Sequence, residues 1–285
     1  MNSKSKKVIP IVRKPEFNFD NLETHYLNKN PVATHFVNSL HMIFPDGEKY
    51  FIRSVKAFSD KISDPELQER VRAFIHQEAQ HMNAHKKIWD KLKEQSPAAE
   101  LFLKFYNFTS YDLIEPLTRK IFGDQFPLAV TAALEHYTAV MAEVALYDNG
   151  DILRDVPIEM KNMLLWHAAE EIEHKAVAYD VYEEVIGNYP LRVAGMIYAS
   201  ILLGAYTMIG HAMFLGMDRS INWFDIKSQT ERFGTRAKPL FEGIFNNLTE
   251  YFQIDFHPDS RDNSELSDEF LRDFQKENTR KVVNK

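Results

Sequence analysis

Apolar residues recur at the three-to-four-residue spacing of an amphipathic helix through most of the chain. Four such segments are predicted as helices over residues 46–62, 65–93, 127–147 and 157–186, and a fifth, 98–120, reads as a helix bent at its internal proline. A proline stands at the start of the second, third and fourth segments, where its missing N–H costs nothing. Strand signals are weak throughout, so the pattern predicts an all-α protein.

The segments that flank this helical region differ from it in composition. Residues 1–25 read as a polar N-terminal arm, 26–255 as one helical domain, and 256–285 as a charged C-terminal tail that is either a peripheral helix or a mobile extension. Within the domain, residues 44–95 and 127–187 share one plan, in which a helix, a connection and a second helix follow each other. This pseudo-repeat of a helical hairpin predicts a four-helix bundle with additional C-terminal helices.

One predicted helix, at about 191–217, has no formally charged residue over 193–217. That length can cross a bilayer, but it also suits a helix buried against the bundle or one that lines a channel for a long apolar substrate. Small residues such as Gly195 allow close helix packing, and polar ones such as His211 interrupt the apolar run. We expect a buried or membrane-contacting helix, with a true span as the minority alternative.

Composition and charge limit the kinds of metal site and of binding partner that the chain can have. The 285 residues are 45% hydrophobic and include no cysteine, so a large core is available, whereas disulfides, iron–sulfur clusters and thiolate zinc sites are excluded. The net charge of −7, without a long basic stripe, argues against nucleic acid as a partner. Any metal must be bound by Glu, Asp and His, which suits iron or manganese better than structural zinc. The absence of cysteine and of a signal peptide fits a cytoplasmic protein, and membrane association stays open.

Two copies of a Glu-x-x-His motif, Glu78–His81 and Glu171–His174, carry the strongest chemical signal. Residues three apart lie on one face of a helix, so the carboxylate and imidazole of each copy can point at one metal ion. A single copy is weak evidence, because such pairs also occur on solvated helix faces. Both copies here are aligned with apolar neighbours, where charged side chains are costly to bury unless they are paired or metal-bound.

A lone glutamate stands on the helix before each motif. Glu135 lies in an otherwise nearly uncharged helix, and Glu143 is a rival on the same helix that we rank second because it lies farther from the middle of the apolar run. A core glutamate satisfied by an arginine or tyrosine is the alternative for Glu135. Glu48 is the other candidate, although it can also be read as a first-turn acid on a helix that Asp46 caps.

Further polar residues accompany the two motifs. His85 follows the first copy and His167 precedes the second, each on the same helical arc. His85 is predicted as a supporting or surface histidine, with direct metal binding as the alternative. Because histidine ligands usually donate their other N–H to a carboxylate, Glu170 and Asp180 are candidates for that supporting role.

The order Glu…ExxH…Glu…ExxH resembles that of the ferritin-like di-iron carboxylate proteins, which include monooxygenases, acyl desaturases and the radical-forming ribonucleotide reductase subunit. The HxxxExxH arrangement that starts at His167 is similar to that of the di-iron arylamine N-oxygenases, in which the additional histidine also binds metal. Over about residues 30–260, the segments QEAQHMNAH, WHAAEEIEHKAVAYD and FHPD more closely resemble a bacterial family described as predicted metal-dependent hydrolases. The resemblance implies that the metal ligands, catalytic through the metals, are Glu48, Glu78, His81, Glu135, His167, Glu171 and His174.

The resemblance also implies a reaction and its partners. Two iron ions are expected, with manganese or a mixed Mn/Fe pair as alternatives, in an enzyme that uses O2 to oxidise an apolar, aromatic or lipid-like small molecule. Glu135 and Glu171 would bridge the metals, and an electron donor would have to be supplied by a separate reductant or protein. The alternatives are a dinuclear metal-dependent hydrolase, which needs neither O2 nor electrons, and a non-enzymatic iron-binding protein, which the long additions after the fourth helix fit poorly. A homodimer stays open.

Overall fold

The all-α prediction is confirmed by a computed structural model, which describes residues 9–147 and 153–283 and contains no strand within these ranges. The predicted helix stop at 148–150 lies outside the described residues. The α-helices of the described chain are α1 (Pro31–Lys56), α2 (Pro65–Gln95), α3 (Pro97–Asn107), α4 (Glu115–Phe122), α5 (Gln125–Leu146), α6 (Ile158–His174), α7 (Val177–Val185), α8 (Tyr189–Met217), α9 (Ile226–Tyr251) and α10 (Ser264–Val283). A π-helical segment, Phe108–Ile114, joins α3 to α4, so the helix predicted over 98–120 consists of three helical segments, and its internal proline, Pro116, lies in the first turn of α4.

The first helix is much longer than the sequence predicted. It begins at Pro31, where the side chain of Asn30 accepts a hydrogen bond from the backbone N–H of Ala33 at 3.1 Å, and it continues through Pro45. Proline removes one helical hydrogen bond, but packing of α1 along α2 and α8 offsets that loss. Glu48 therefore lies in the middle of a helix, and its interpretation as a first-turn acid is wrong.

Four helices enclose the centre of the domain. α1 packs on α2 and α5, and α6 packs on α2 and α5, so the four form a closed ring around one core. α2 begins as predicted, because Asp64 accepts from the N–H of Glu66 at 2.9 Å and proline occupies the first turn. The helix predicted over 157–186 is instead two helices, since the chain turns at Lys175, whose Nζ is held by the backbone oxygen of Arg261 at 2.6 Å.

Helix α8, which has no formally charged residue after Arg192, covers the groove between α1 and α5. Within the described residues it is the one helix long and apolar enough to cross a membrane, judged by length and composition, and one third of its most apolar window is buried. Its outer face exposes Ile197, Ile201 and Met208, each at least half accessible. α8 is thus in part a packing helix, and contact of its outer face with a membrane stays a prediction.

We expect Gly195→Ala to destabilise the fold by about 1–3 kcal/mol, because α8 lies close to the backbone of α5 at this residue. A Cβ at position 195 would lie 2.8 Å from the carbonyl carbon and oxygen of Ala129. Gly204→Ala on the same helix is the matched control, because its Cβ would meet nothing within 4 Å and should stabilise the helix by up to about 1 kcal/mol. Urea unfolding followed by circular dichroism measures both changes. Equal effects of the two substitutions would contradict the close approach of α5 and α8.

Both described ends of the chain pack against the bundle. The segment predicted as a polar arm buries Phe17 and Phe19 in the core, and Arg13 pairs with Glu173 at 2.9 Å. Apolar side chains at intervals in this segment outweigh its polar composition, so residues 9–25 of the predicted polar arm lie against the bundle. The predicted tail forms α10, which packs on α6 and buries Leu271 and Phe274. Of the two alternatives given for the tail, the structure therefore has the peripheral helix.

Candidate metal centre

Side chains from α1, α2, α5 and α6 meet inside the ring of four helices. α1 contributes one glutamate, α2 and α6 contribute an ExxH pair with an additional histidine each, and α5 contributes a second lone glutamate. None of these side chains is more than 7% exposed, and together they form what we call the cluster: Glu48, Glu78, His81, His85, Glu135, His167, Glu171 and His174. The seven residues predicted as ligands are all brought together, and His85 joins them.

The two ExxH motifs face each other across the bundle. The Nε2 atom of His174 lies 3.1 Å from an Oε1 atom of Glu78, and Nδ1 of His81 lies 3.4 Å from Oε1 of Glu171. These four residues each offer one ligand atom within 4.8 Å of the others. An Oε2 atom of Glu135 lies 3.4 Å from Nε2 of His174, at the same position. The spacing suits one metal ion held by oxygen and nitrogen atoms.

A second group of possible ligands lies beside the first. Glu48, His85 and His167 offer atoms within 4.8 Å of one another, and an Oε1 atom of Glu48 lies 3.8 Å from Nε2 of both histidines. Nε2 of His167 is also 2.8 Å from Oε1 of Glu171, whose Oε2 lies 3.4 Å from Nε2 of His174. Glu171 therefore spans the two groups, as a carboxylate shared between two metal ions would.

Many polar atoms of the cluster have no hydrogen-bond partner although they are buried. Both carboxylate oxygens of Glu48, Glu78 and Glu135 are in this state, together with Nδ1 of His81 and Nε2 of His174. A buried acceptor without a partner costs about 1–3 kcal/mol, and more when it is charged. These unpartnered atoms converge on one region, where a pair of metal ions would give them partners. The donor set therefore fits a dinuclear centre.

The histidines of the two ExxH motifs are each oriented by a hydrogen bond to a residue of the opposite helix. His81 on α2 donates from Nε2 to Glu170 on α6 at 3.1 Å, and His174 on α6 donates from Nδ1 to the amide oxygen of Gln77 on α2 at 2.9 Å. Each supporting residue directly precedes the motif glutamate of its own helix. These bonds leave Nδ1 of His81 and Nε2 of His174 turned towards the cluster, and Glu170 has the position predicted for it.

Two other acidic candidates lie elsewhere. Asp180 pairs with Arg70 at 2.5 Å and with His257 at 2.9 Å, so the structure engages it in a different network from the one predicted. Glu143, the rival on α5, pairs with Arg261 at 3.3 Å on a partly exposed face. Both ion pairs join residues distant in sequence, and the sequence carried no sign of them.

The buried carboxylates fall into two classes by their pKa values. Burial raises the pKa of Glu48 and Glu135 well above the usual range, and repulsion from neighbouring carboxylates raises it further. Burial also acts on Glu78 and Glu171, but attraction from the adjacent histidines outweighs it and holds both pKa values below the ordinary value. Without metal, Glu48 and Glu135 therefore keep their protons to a higher pH than ordinary glutamates do, whereas Glu78 and Glu171 are ionised at neutral pH.

The histidines compensate the two ionised carboxylates. Burial would lower the pKa of His81 and His174, but the surrounding carboxylates outweigh it and hold both pKa values well above the usual range. Burial lowers the pKa of His85 and His167, and repulsion from neighbouring histidines adds to this effect. Within the metal-free cluster, His81 and His174 therefore hold protons more strongly than His85 and His167 do, and the ionised Glu78 and Glu171 lie beside them.

A histidine missed by the sequence analysis extends the cluster. His41 on α1 is buried, and its Nδ1 lies 2.9 Å from Nδ1 of His85, whose Nε2 lies 3.0 Å from Nδ1 of His167. Burial lowers the pKa of His41 to about 3. The first helix was predicted to begin after this residue. A helix drawn through Pro45 would have put His41 seven residues before Glu48, on the same face.

Two cavities reach the cluster from opposite directions along α1. The large cavity, of about 490 Å³, lies between α1, α5, α6 and α9. The small cavity, of about 100 Å³, lies between α1, α5 and α8 beside the π-helical segment. Both are mostly apolar, and both are lined by Phe44, Thr138, Met141, His167 and Glu171. A small molecule in either cavity would therefore contact the cluster directly.

Comparison with known proteins gives one match, which spans most of the chain. A family model described as "predicted metal-dependent hydrolase" matches residues 11–262. No curated protein and no solved structure matches the chain. The matched range includes every residue of the cluster and the walls of both cavities.

Proposed function

The chain belongs to the family of predicted metal-dependent hydrolases, and on that basis we propose that it is a dinuclear metal enzyme acting on an apolar small molecule. The observation that carries this proposal is the convergence of four glutamates and four histidines, with many unpartnered buried atoms, on a point where two apolar cavities meet. Four carboxylates would balance the charge of two divalent ions. Such a neutral centre can be buried in an apolar core at acceptable cost.

The residues around the centre have separable tasks. Glu48, Glu78, Glu135, Glu171 and the histidines would hold the metals, whereas Glu170 and Gln77 orient the imidazoles through their hydrogen bonds. Apolar walls of the two cavities would bind the substrate and exclude bulk water. Bound metals would supply either a Lewis acid that activates water or, as an iron pair, reducing equivalents for reaction with O2.

Hydrolysis is the first reaction to test, because the family description names it. Oxidation by a di-iron centre is the second, and a separate observation favours it. Near His167 and Glu171 the cavity walls are formed by residues such as Phe44, Met141 and Leu164, which suit an unactivated hydrocarbon better than a polar scissile group. Oxidation would require O2 and an electron donor as partners.

One experiment separates the two reactions. The purified protein is analysed for metals, reconstituted anaerobically with Fe²⁺, Mn²⁺ or Zn²⁺, and assayed for cleavage of p-nitrophenyl decanoate and for O2 uptake with optical and Mössbauer spectra. Hydrolysis predicts ester cleavage with Zn²⁺ or Mn²⁺ under anaerobic conditions, at a rate that Glu171→Ala lowers by about 100-fold or more. Oxidation predicts O2-dependent spectral change with Fe²⁺ alone. A protein that binds fewer than two metal ions with each of these metals would contradict the proposed dinuclear centre.

A further inference from the structure

The large cavity changes in character from its outer to its inner end. The outer end is lined by Asn28, Asp155 and Arg232, which are exposed to solvent. The inner end is lined by His167 and Glu171, which are buried in the cluster. Between them the walls are apolar side chains from four helices, among them Phe36, Val37, Leu40, Val144, Leu164 and Phe233. The cavity therefore connects a polar entrance to the metal centre through an apolar passage.

The shape of the passage follows one face of α1. Lining residues run from Ala33 to Phe44 in the large cavity, which corresponds to about 16 Å along the helix axis. The small cavity continues along the same helix to Phe51, so the two together extend for about 27 Å past the cluster. A long, narrow space of this kind suits an extended chain better than a compact ring system.

The entrance has a charge that an anion would complement. Arg232 and Arg236 on α9 both line it, and Arg236 pairs with Asp155 at 3.1 Å. Arg232 donates to the hydroxyl of Ser228 at 2.8 Å, a neutral partner. The lining residues at this end carry two positive guanidinium groups and one negative carboxylate. Guanidinium groups bind carboxylates and phosphates through paired hydrogen bonds, so this end favours an anionic head.

We propose that the large cavity binds a single-chain amphiphile whose anionic head lies at Arg232 and whose alkyl chain runs along α1 to the cluster. The chain passes Phe36 and Leu40 and reaches His167 at the level of Phe44, about 16 Å along α1 from Ala33. The part of the molecule that meets the metals is therefore the chain and not its charged head. The role of this ligand as a substrate rests on the proposed function. Its binding in the cavity does not depend on that function.

The test uses metal-free full-length protein, so that binding is measured without any reaction. Isothermal titration calorimetry compares dodecanoate, dodecyl phosphate, 1-dodecanol and dodecyltrimethylammonium below their micelle concentrations. We expect saturable binding of the anionic chains, with the alcohol and the cation about 10-fold or more weaker. A preference for dodecanoate or for dodecyl phosphate identifies the head group. Equal affinity for the anion and the cation would overturn the role of the entrance.

Two pairs of variants locate the ligand. Arg232→Gln should weaken dodecanoate binding about 10-fold and leave 1-dodecanol unchanged, whereas Arg72→Gln, an exposed arginine on α2, should alter neither. Ala145→Trp should block the passage and abolish binding of every alkyl chain, and Ala57→Trp, at the exposed end of α1, is its control. If Ala145→Trp fails to fold, Ala33→Trp obstructs the same cavity from α1.

The outcomes distinguish this inference from the proposed function. One outcome is that no alkyl chain binds the metal-free protein while two metals still bind and support a reaction. In that case the proposed amphiphile ligand is wrong and the proposed dinuclear enzyme stands. If dodecanoate binds and responds to Arg232→Gln but no metal is taken up, the cavity assignment stands and the metal enzyme is wrong. Unchanged binding in a folded Ala145→Trp variant would overturn the location of the chain.

Discussion

Binding of divalent metal ions to the metal-free protein at neutral pH should release protons. The pKa values of Glu48, Glu135, His81 and His174 are all raised well above their ordinary values, so these groups hold protons more strongly than free side chains do when no metal is bound. A metal ion would compete with those protons for the same atoms. Titration of the protein with Mn²⁺ in weakly buffered solution containing a pH indicator measures the release directly.

The same competition between protons and metal ions makes the affinity of the protein for metal depend on pH. As the pH falls, protons occupy the two histidines and the two raised-pKa glutamates more fully, so metal binding should weaken. Metal should also raise the unfolding temperature by roughly 10 °C at a thousandfold excess over the dissociation constant, because it binds the folded state alone. Mg²⁺, which binds imidazole poorly, is the control ion. Metal binding without any release of protons would contradict this competition.

Replacing Glu135 by alanine should lower the affinity for metal by about 100-fold or more and leave at most one metal per chain. Both carboxylate oxygens of Glu135 are buried without a hydrogen-bond partner, and one lies 3.4 Å from Nε2 of His174. Equilibrium dialysis followed by elemental analysis measures the stoichiometry. The metal-free variant should remain folded, because removal of a buried protonated acid exposes no new charge.

Glu143→Ala is the matched control on the same helix. Glu143 pairs with Arg261 on a partly exposed face of α5, eight residues after Glu135. Its removal should leave two metals bound and lower stability by no more than about 1 kcal/mol. If Glu135→Ala binds two metals as tightly as the unaltered protein and Glu143→Ala does not, the assignment of the α5 ligand is wrong.

The sequence predicted much of the cluster because its signals are local. Glu78 with His81 and Glu171 with His174 are spaced to share a helix face, and this property can be read without knowing the fold. Glu135 was preferred over Glu143 because it lies nearer the middle of an apolar run, and the structure brings Glu135 to the cluster. Whether these residues bind metal stays a prediction.

Features that depend on contacts between distant segments were not predicted. His41 was missed because the first helix was predicted to begin at residue 46, whereas packing on α2 and α8 carries α1 through Pro45. The turn after His174 is held by Lys175 through partners about 86 residues away, which no local pattern records. The entrance to the large cavity likewise exists only where α9 returns to α1, in a region predicted only as additional C-terminal helices.

The packing of the two chain ends has a consequence for how the protein is made. The ring of Phe17 contacts those of Phe274 and Trp166 at centroid distances of 6.4 and 5.7 Å, and Trp166 donates a hydrogen bond to Glu170 behind His81. Contacts between such distant parts of a chain form late, because a long loop must close first. The segment that carries Phe17 is synthesised long before α10, so this aromatic contact is completed only when α10 has packed. A metal ion would therefore meet a fully supported cluster only after α10 has folded against α6.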